Sequence, residues 1–166
     1  MRLVILGSLD WLTEASITLK KNKIIPELII LPKDRDTSKE KSILERLNFK
    51  YYEVESLNQN PIILKKISPD LVLSFAFPEI LSKKIIDIPK FGIINFHSSN
   101  LPEFRGRHPV NWAMIKGEKY IGLCAHFMND KIDLGDVIIR DQVPIERDDD
   151  IKIVLTKLRK KISFSL

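Results

Sequence analysis

The feature that most limits what this chain can fold into is a repeating alternation. Short runs of strand-forming residues are each followed by a stretch with helical spacing. "RLVILG" (2–7) is apolar throughout and closed by a glycine, the pattern of a strand buried on both faces of a parallel sheet. "DWLTEASITLKKN" (10–22) then places Trp11, Leu12, Ala15, Ile17 and Leu19 at helical intervals. "IPELIILP" (25–32), "KYYEV" (50–54), "DLVLSFAF" (70–77) and "GIINF" (92–96) repeat the strand signal. Between them lie helical stretches at 36–48, 60–68 and 79–86, the first with Thr37 or Ser38 ahead of Glu40 as a capping signature. Beyond a helix at 109–116 come strands at 121–128 and 137–145, and Asp148–Asp150 open a last helix ending in "KLRKK" (157–161). Strands alternating with helices of this length make βαβ units. The reading is an α/β, Rossmann-like, mainly parallel sheet with helices on both faces. The short link between the last two strands makes an edge hairpin near the carboxyl end.

Several functional classes drop out. The first strand–helix turn, Gly7-Ser8-Leu9-Asp10, holds one glycine where a dinucleotide fingerprint needs three, and there is no P-loop. No G-x-S-x-G elbow accompanies Ser98 and Ser99. His97, His108 and His126 have no metal-ligand spacing and Cys124 stands alone, so no metal is expected. A lone cysteine and a "MRLVILGS" start without signal-peptide shape read as cytoplasmic, and no apolar run is long enough for a membrane. A net charge of +5 favours anionic partners without choosing among them.

The informative stretch is "FGIINFHSSNLPEFRGRH" (91–108). Asn95 and His97 stand two apart on a strand, so they share a face at its carboxyl end, where open α/β sheets bind ligands. A loop with Pro102, Arg105, Gly106 and Arg107 follows, and "NDKIDLGD" (129–136) supplies acids from another loop. A carboxylate beside a histidine raises its pKa toward working pH, and an amide donor can hold a developing oxyanion. That set suits acyl transfer to an amine, with Asn95 and protonated His97 on the carbonyl oxygen and no covalent enzyme intermediate. The residues alone choose neither the carboxylate nor the acyl donor.

"NFHSSNLPEFRGRHPVNWAMIKGE" followed by "GLCAHFMNDKIDLGDVI" closely resembles the formyltransferases that use N10-formyltetrahydrofolate. The resemblance spans roughly residues 1–155. It implies that Asn95, His97 and Asp133 are catalytic, Asp133 following His97 by 36 positions. It implies a folate pocket at Ala76, Phe77, Leu81, Asn129, Asp130 and Ile132, with N10-formyltetrahydrofolate as co-substrate. Ser98, Arg105, Gly106 and His108 are the substrate-side candidates. His126 is read as packing behind the site or in the core, Asp136 as a turn residue, and Trp11 and Trp112 as packing helices on the sheet. Family members usually continue into more helix and a second domain. The chain is therefore read as one catalytic domain, 1–166, lacking a carboxyl-terminal extension.

The resemblance also bears on the amine. "GSLDWLTEA" lacks the Ser-Asn pair of the glycinamide ribonucleotide branch, and "LPKDRDTSKEKS" is short and mixed in charge where the methionyl-tRNA branch carries a long basic insertion. The "RGRHPVNWA" wording looks most like the branch acting on nucleotide-linked amino sugars. That acceptor is favoured, with methionyl-tRNA ranked below it. A truncated, non-catalytic folate- or nucleotide-binding remnant is the third reading. A homodimer stays open.

Overall fold

The computed structural model describes residues 1–165; the final leucine of "ISFSL" lies outside them. In chain order the elements are β1 (Leu3–Gly7), α1 (Leu9–Lys21), β2 (Leu28–Pro32), α2 (Ser38–Arg46), β3 (Tyr51–Val54), α3 (Ile62–Ile67) and β4 (Leu71–Phe75). α4 (Lys83–Ile86), β5 (Ile93–His97), α5 (Pro109–Ile115), β6 (Tyr120–Phe127), β7 (Val137–Pro144) and α6 (Ile151–Ser165) follow. The strands form one sheet in the order β3-β2-β1-β4-β5-β6-β7. β1 through β5 pair in parallel. β5–β6 and β6–β7 are antiparallel, so the expected edge hairpin is present.

Alternation along the strands builds two cores. Leu3, Ile5, Leu73, Phe75 and Phe96 face one side, where Leu12, Ala15 and Leu19 of α1, Val110 and Ala113 of α5, and Val154, Leu158 and Ile162 of α6 cover them. Val4, Leu6, Val72 and Ile93 face the other, under Leu64 of α3 and Ile85 of α4. Each fully buried Leu or Ile contributes about 1.5–3 kcal/mol by leaving water, so the central strands anchor the fold. β1 ends in glycine because a Cβ at Gly7 would lie 2.9 Å from the Phe75 carbonyl oxygen and 3.1 Å from Leu12.

Three local expectations differ from the structure. The helix read at 79–86 shortens to Lys83–Ile86. Glu79 instead turns back to accept from the Ser56 hydroxyl (2.6 Å), Leu57 N–H (2.7 Å) and the Asn58 side-chain amide (2.8 Å). The Thr37–Glu40 capping pair does not form either: Thr37 Oγ1 donates to Glu53 at 2.7 Å, and the Ser38 N–H is capped by Asp36 at 2.9 Å. Trp112 is 55% exposed and packs no helix on the sheet, whereas Trp11 packs against the first core. The last helix starts as read, with Ile153 N–H donating to Asp150 at 2.8 Å.

Candidate active site

The carboxyl ends of β4, β5 and β6 and the loops that follow enclose a cleft of about 560 Å³. Parallel pairing of β4 with β5 sets Asn95 beside Ser74, and antiparallel pairing sets His126 of β6 directly opposite Asn95. Opposite residues of antiparallel strands share a face, so Asn95, His97 and His126 all project into the cleft floor. The β6–β7 connection brings Asp133 over them, its backbone in the left-handed region at φ 50°.

The four side chains form one network. Asp133 Oδ2 accepts from the Gly106 N–H at 2.9 Å and lies 3.5 Å from His97 Nε2, which is also 3.2 Å from the Phe104 carbonyl. Both neighbours of that ring nitrogen are oxygens that only accept, so Nε2 carries the hydrogen of the neutral ring and Nδ1 the lone pair. Asp133 Oδ1 lies 3.4 Å from His126 Nε2, and the Asn95 amide nitrogen lies 3.3 Å from the same atom. His126 Nδ1 donates to the Phe127 carbonyl at 2.9 Å, which fixes the orientation of the ring.

Burial holds His97 below its ordinary pKa, outweighing the pull of the Asp133 charge and the Phe104 carbonyl. The resting ring is therefore neutral near pH 7, a correction to the protonated His97 expected from sequence. A nearby carboxylate does raise a histidine's pKa, but the low-dielectric floor wins here. Burial works to raise Asp133 too, yet the close approach of His126, the proximity of His97 and the Gly106 N–H together hold its carboxyl below the usual range. The site rests with an ionised Asp133 and a neutral His97.

The formyl transferase family model matches residues 1–163. The chain belongs to the formyl transferase family, whose donor is N10-formyltetrahydrofolate. Among curated proteins, the methionyl-tRNA formyltransferase of Prochlorococcus marinus is 32% identical over 169 aligned residues, covering 95% of this chain and 52% of that protein. That of Clostridium tetani is 43% identical over 109 residues, covering 64% of this chain and 35% of that protein. The chain thus spans between about a third and about half the length of these relatives. Glycinamide ribonucleotide transformylase 1 from Symbiobacterium toebii superposes with a TM-score of 0.85 at 19% identity, covering 99% of this chain and 82% of that one. At that identity the likeness establishes the shared fold.

In this chain the residues singled out from sequence fall in different places. Asn95, His97 and Asp133 meet at the cleft floor. Ala76, Phe77 and Leu81 line one wall, and Asn129, Asp130 and Ile132 the other. Ser98, Gly106 and His108 border the cleft, but Arg105 does not: its Nε turns back to the Pro102 carbonyl at 3.0 Å and ties its own loop. His126, read from sequence as packing behind the site or in the core, is 1% exposed and touches both Asn95 and Asp133. Only the strand register could have signalled this, because position 126 opposes 95 once the β5–β6 pairing is known. Trp11, Arg35 and Arg107 also line the cleft and were not singled out as site residues. No group of three or more His, Cys, Asp or Glu among the described residues could hold a metal ion. No helix among them is long and apolar enough to cross a membrane.

Proposed function

We propose that this chain transfers the formyl group of N10-formyltetrahydrofolate to the amino group of methionyl-tRNA. The observation that carries the transfer is the convergence of Asn95, His97 and Asp133 on one cleft floor. The acceptor rests on the names of the relatives, one of which aligns over 95% of the chain. Those names favour methionyl-tRNA over the nucleotide-linked amino sugar ranked first from sequence.

The cleft suits the donor. Phe77, Leu81, Ile86 and Met128 give an apolar slot for a flat ring, with the 129–133 loop at its edge. The bound folate supplies a formyl carbon on N10, and that nitrogen gains a hydrogen as the formyl group leaves. The chain's residues do the rest. Asn95 offers an amide N–H to the formyl oxygen as negative charge develops there. His97 takes the proton that the amine loses on attack, through the Nδ1 lone pair. Asp133, ionised and facing Nε2–H, stabilises the imidazolium that results, then lets the proton pass to the departing nitrogen. The amine loses one proton, the folate nitrogen gains one, and the ring returns to neutral.

The test is transfer of labelled formyl from the folate by the whole chain, with methionyl-tRNA and a nucleotide-linked amino sugar offered separately. Transfer to methionyl-tRNA that His97→Asn abolishes is the expected result. Transfer to the sugar alone would overturn the acceptor. No transfer to either, with no folate binding by calorimetry, would overturn the donor as well and leave the remnant reading.

A further inference from the structure

We propose that Glu79 and Asn58 are positioning residues for the formyl donor: together they latch the Phe77–Leu81 wall of the cleft to the loop behind it, and so set donor affinity without touching the reacting atoms. This deepens the donor half of the formyl-transfer reading and rests on it.

The wall is irregular backbone, running from the end of β4 at Phe75 to the start of α4 at Lys83. It supplies Phe77 and Leu81 to the apolar slot. Among the described residues, no main-chain to main-chain hydrogen bond holds Phe77–Leu81. A segment without a ladder of its own keeps one geometry when side chains satisfy its polar groups and fix its path.

Two side chains do that here. Glu79 borders the cleft, yet both of its carboxylate oxygens are taken by Ser56, Leu57 and Asn58 of the loop between β3 and α3, which lie outside the cleft lining. Oε2 accepts from the Leu57 N–H at 2.7 Å. Oε1 accepts from the Ser56 hydroxyl at 2.6 Å, the Asn58 N–H at 3.2 Å and Asn58 Nδ2 at 2.8 Å. Asn58 returns the connection: its Nδ2 also donates to the Ile80 carbonyl at 2.9 Å, and its Oδ1 accepts from the Ser82 N–H at 2.8 Å. Asn58 thus holds the wall on either side of Leu81. The loop is a firm support because Leu57 is fully buried in the second core, the same core that takes Leu81 and Ile86.

The residue types follow from the bonds. Four donors converge on Glu79, and a carboxylate meets them all because it has lone pairs on both oxygens and no hydrogen of its own. A glutamine there would turn its NH₂ toward either the Leu57 N–H or the Asn58 donors. An aspartate at 58 would set an oxygen against Glu79 and the Ile80 carbonyl, both acceptors. Either change keeps the shape and breaks the latch. Donor binding must then order the wall itself, which weakens it, while Asn95, His97 and Asp133 stay in place on other elements.

The experiment compares the whole chain with Glu79→Gln and Asn58→Asp, and with Glu55→Gln as control. Glu55 opens the same loop but is exposed and pairs with Lys33 at 3.1 Å. Amide hydrogen exchange is followed first, without ligand. The Leu57 amide in Glu79→Gln and the Ser82 amide in Asn58→Asp are expected to exchange at least tenfold faster, with Leu73 and Phe75 of β4 unchanged. A stable formyl-folate is then titrated by calorimetry, and transfer from labelled N10-formyltetrahydrofolate to methionyl-tRNA is timed. Both variants are expected to bind the donor about tenfold more weakly, to raise its KM alike, and to keep the rate at saturating donor within about threefold. Glu55→Gln should match the wild type throughout. Should Asn58→Asp not fold, Asn58→Ala carries the comparison. Folded variants that bind the donor as tightly as the wild type overturn the proposal alone, as does a saturated rate that falls as far as the affinity. A wild type that binds no formyl-folate overturns the donor reading, and this proposal with it.

Discussion

Glu40 and Asp133 are both carboxylates largely withdrawn from water, and each accepts a backbone N–H at a turn with a positive φ. Leu9, at φ 60°, donates to Glu40, and Gly106, at φ 82°, donates to Asp133. The two differ in what surrounds the carboxyl group. Glu40 is buried and takes its hydrogen bond from the Leu9 N–H, and among the described residues it forms no ion pair with a cation or an imidazole. Asp133 faces His97 with one oxygen and His126 with the other, and it opens to the cleft. The same bond to a main-chain N–H therefore ties two buried elements together in one turn and holds a group for chemistry in the other. The sheet makes the same division: β1 carries only buried apolar residues and its terminal glycine, while β5 and β6 place Asn95, His97 and His126 at their ends.

Removing the negative charge should separate the two carboxylates most sharply at Asp133. Asp133→Asn keeps the shape and an acceptor for Gly106 but cannot stabilise an imidazolium at His97. The expected loss in the single-turnover rate is about 10²–10⁴-fold, with folate affinity changed only a few-fold. Glu40→Gln, measured in the same assay, should leave the single-turnover rate within about threefold, since Glu40 touches no reacting group. Equal losses in the two variants would erase the distinction.

Gly135→Ala tests how tightly the anchor is built. A Cβ at Gly135 would stand 1.7 Å from the Phe127 carbonyl oxygen, the atom that holds His126 Nδ1 at 2.9 Å. The chain must move apart there, releasing His126 from its acceptor and shifting the 129–136 loop. A loss of about 2–3 kcal/mol in unfolding free energy is expected, together with slower transfer. Gly106→Ala, whose Cβ would meet nothing within 4 Å, should cost only about 1 kcal/mol for its φ of 82°. Urea unfolding of the two variants decides whether the Phe127 contact is the sensitive point.

How much of this was legible in the sequence follows the same division. β1, β2 and β4 could be read because burial on both faces leaves nearly continuous apolar runs. The Asn95–His97 pair could be read because a strand repeats every two residues, and Asp133 came from the family resemblance. His126 could not be assigned its contacts, because its partners depend on a register between strands 31 positions apart. Glu40 was read as half of a local cap, yet it reaches back 31 residues to Leu9. Glu79, which shortens the expected helix, bonds to a loop more than 20 residues earlier. Local periodicity carries none of these long-range polar bonds.

Acid should reveal the neutral imidazole. His97 has its pKa held down by burial in the folded chain, so the unfolded chain binds the proton first as pH falls. The stability contributed by a neutral His97 is then complete above its ordinary value of 6.5 and declines as pH drops below it toward the lowered folded value. Asp133, also lowered, adds a second decline as pH falls through 3.8 and below. Urea midpoints between pH 8 and pH 4 should fall below about pH 6.5, and His97→Gln should flatten the first part of that fall. An unchanged slope in the variant would place the acid sensitivity elsewhere.

The smallest effect is expected beside Glu40. Lys39 and Arg159 both reach Asp10, but Lys39 is 67% exposed and Asp10 42% exposed, so solvent screens their 2.5 Å contact. Lys39→Ala should cost about 0.2–1 kcal/mol, less in high salt, and leave transfer unchanged. Arg159 still holds Asp10 at 3.1 Å in that variant, which keeps α1 and α6 tied. The contrast with Glu40 lies in solvent, since both acids serve the first turn of α1 and only one is withdrawn from water. If Lys39→Ala instead cost several kcal/mol, the charge at this turn would act as a coupled unit, and Glu40 could no longer be treated apart from Asp10. Unfolding curves of Lys39→Ala at low and high salt, set beside those of Glu40→Gln, separate the two cases: a difference that vanishes in salt for Lys39→Ala alone keeps the buried carboxylate independent.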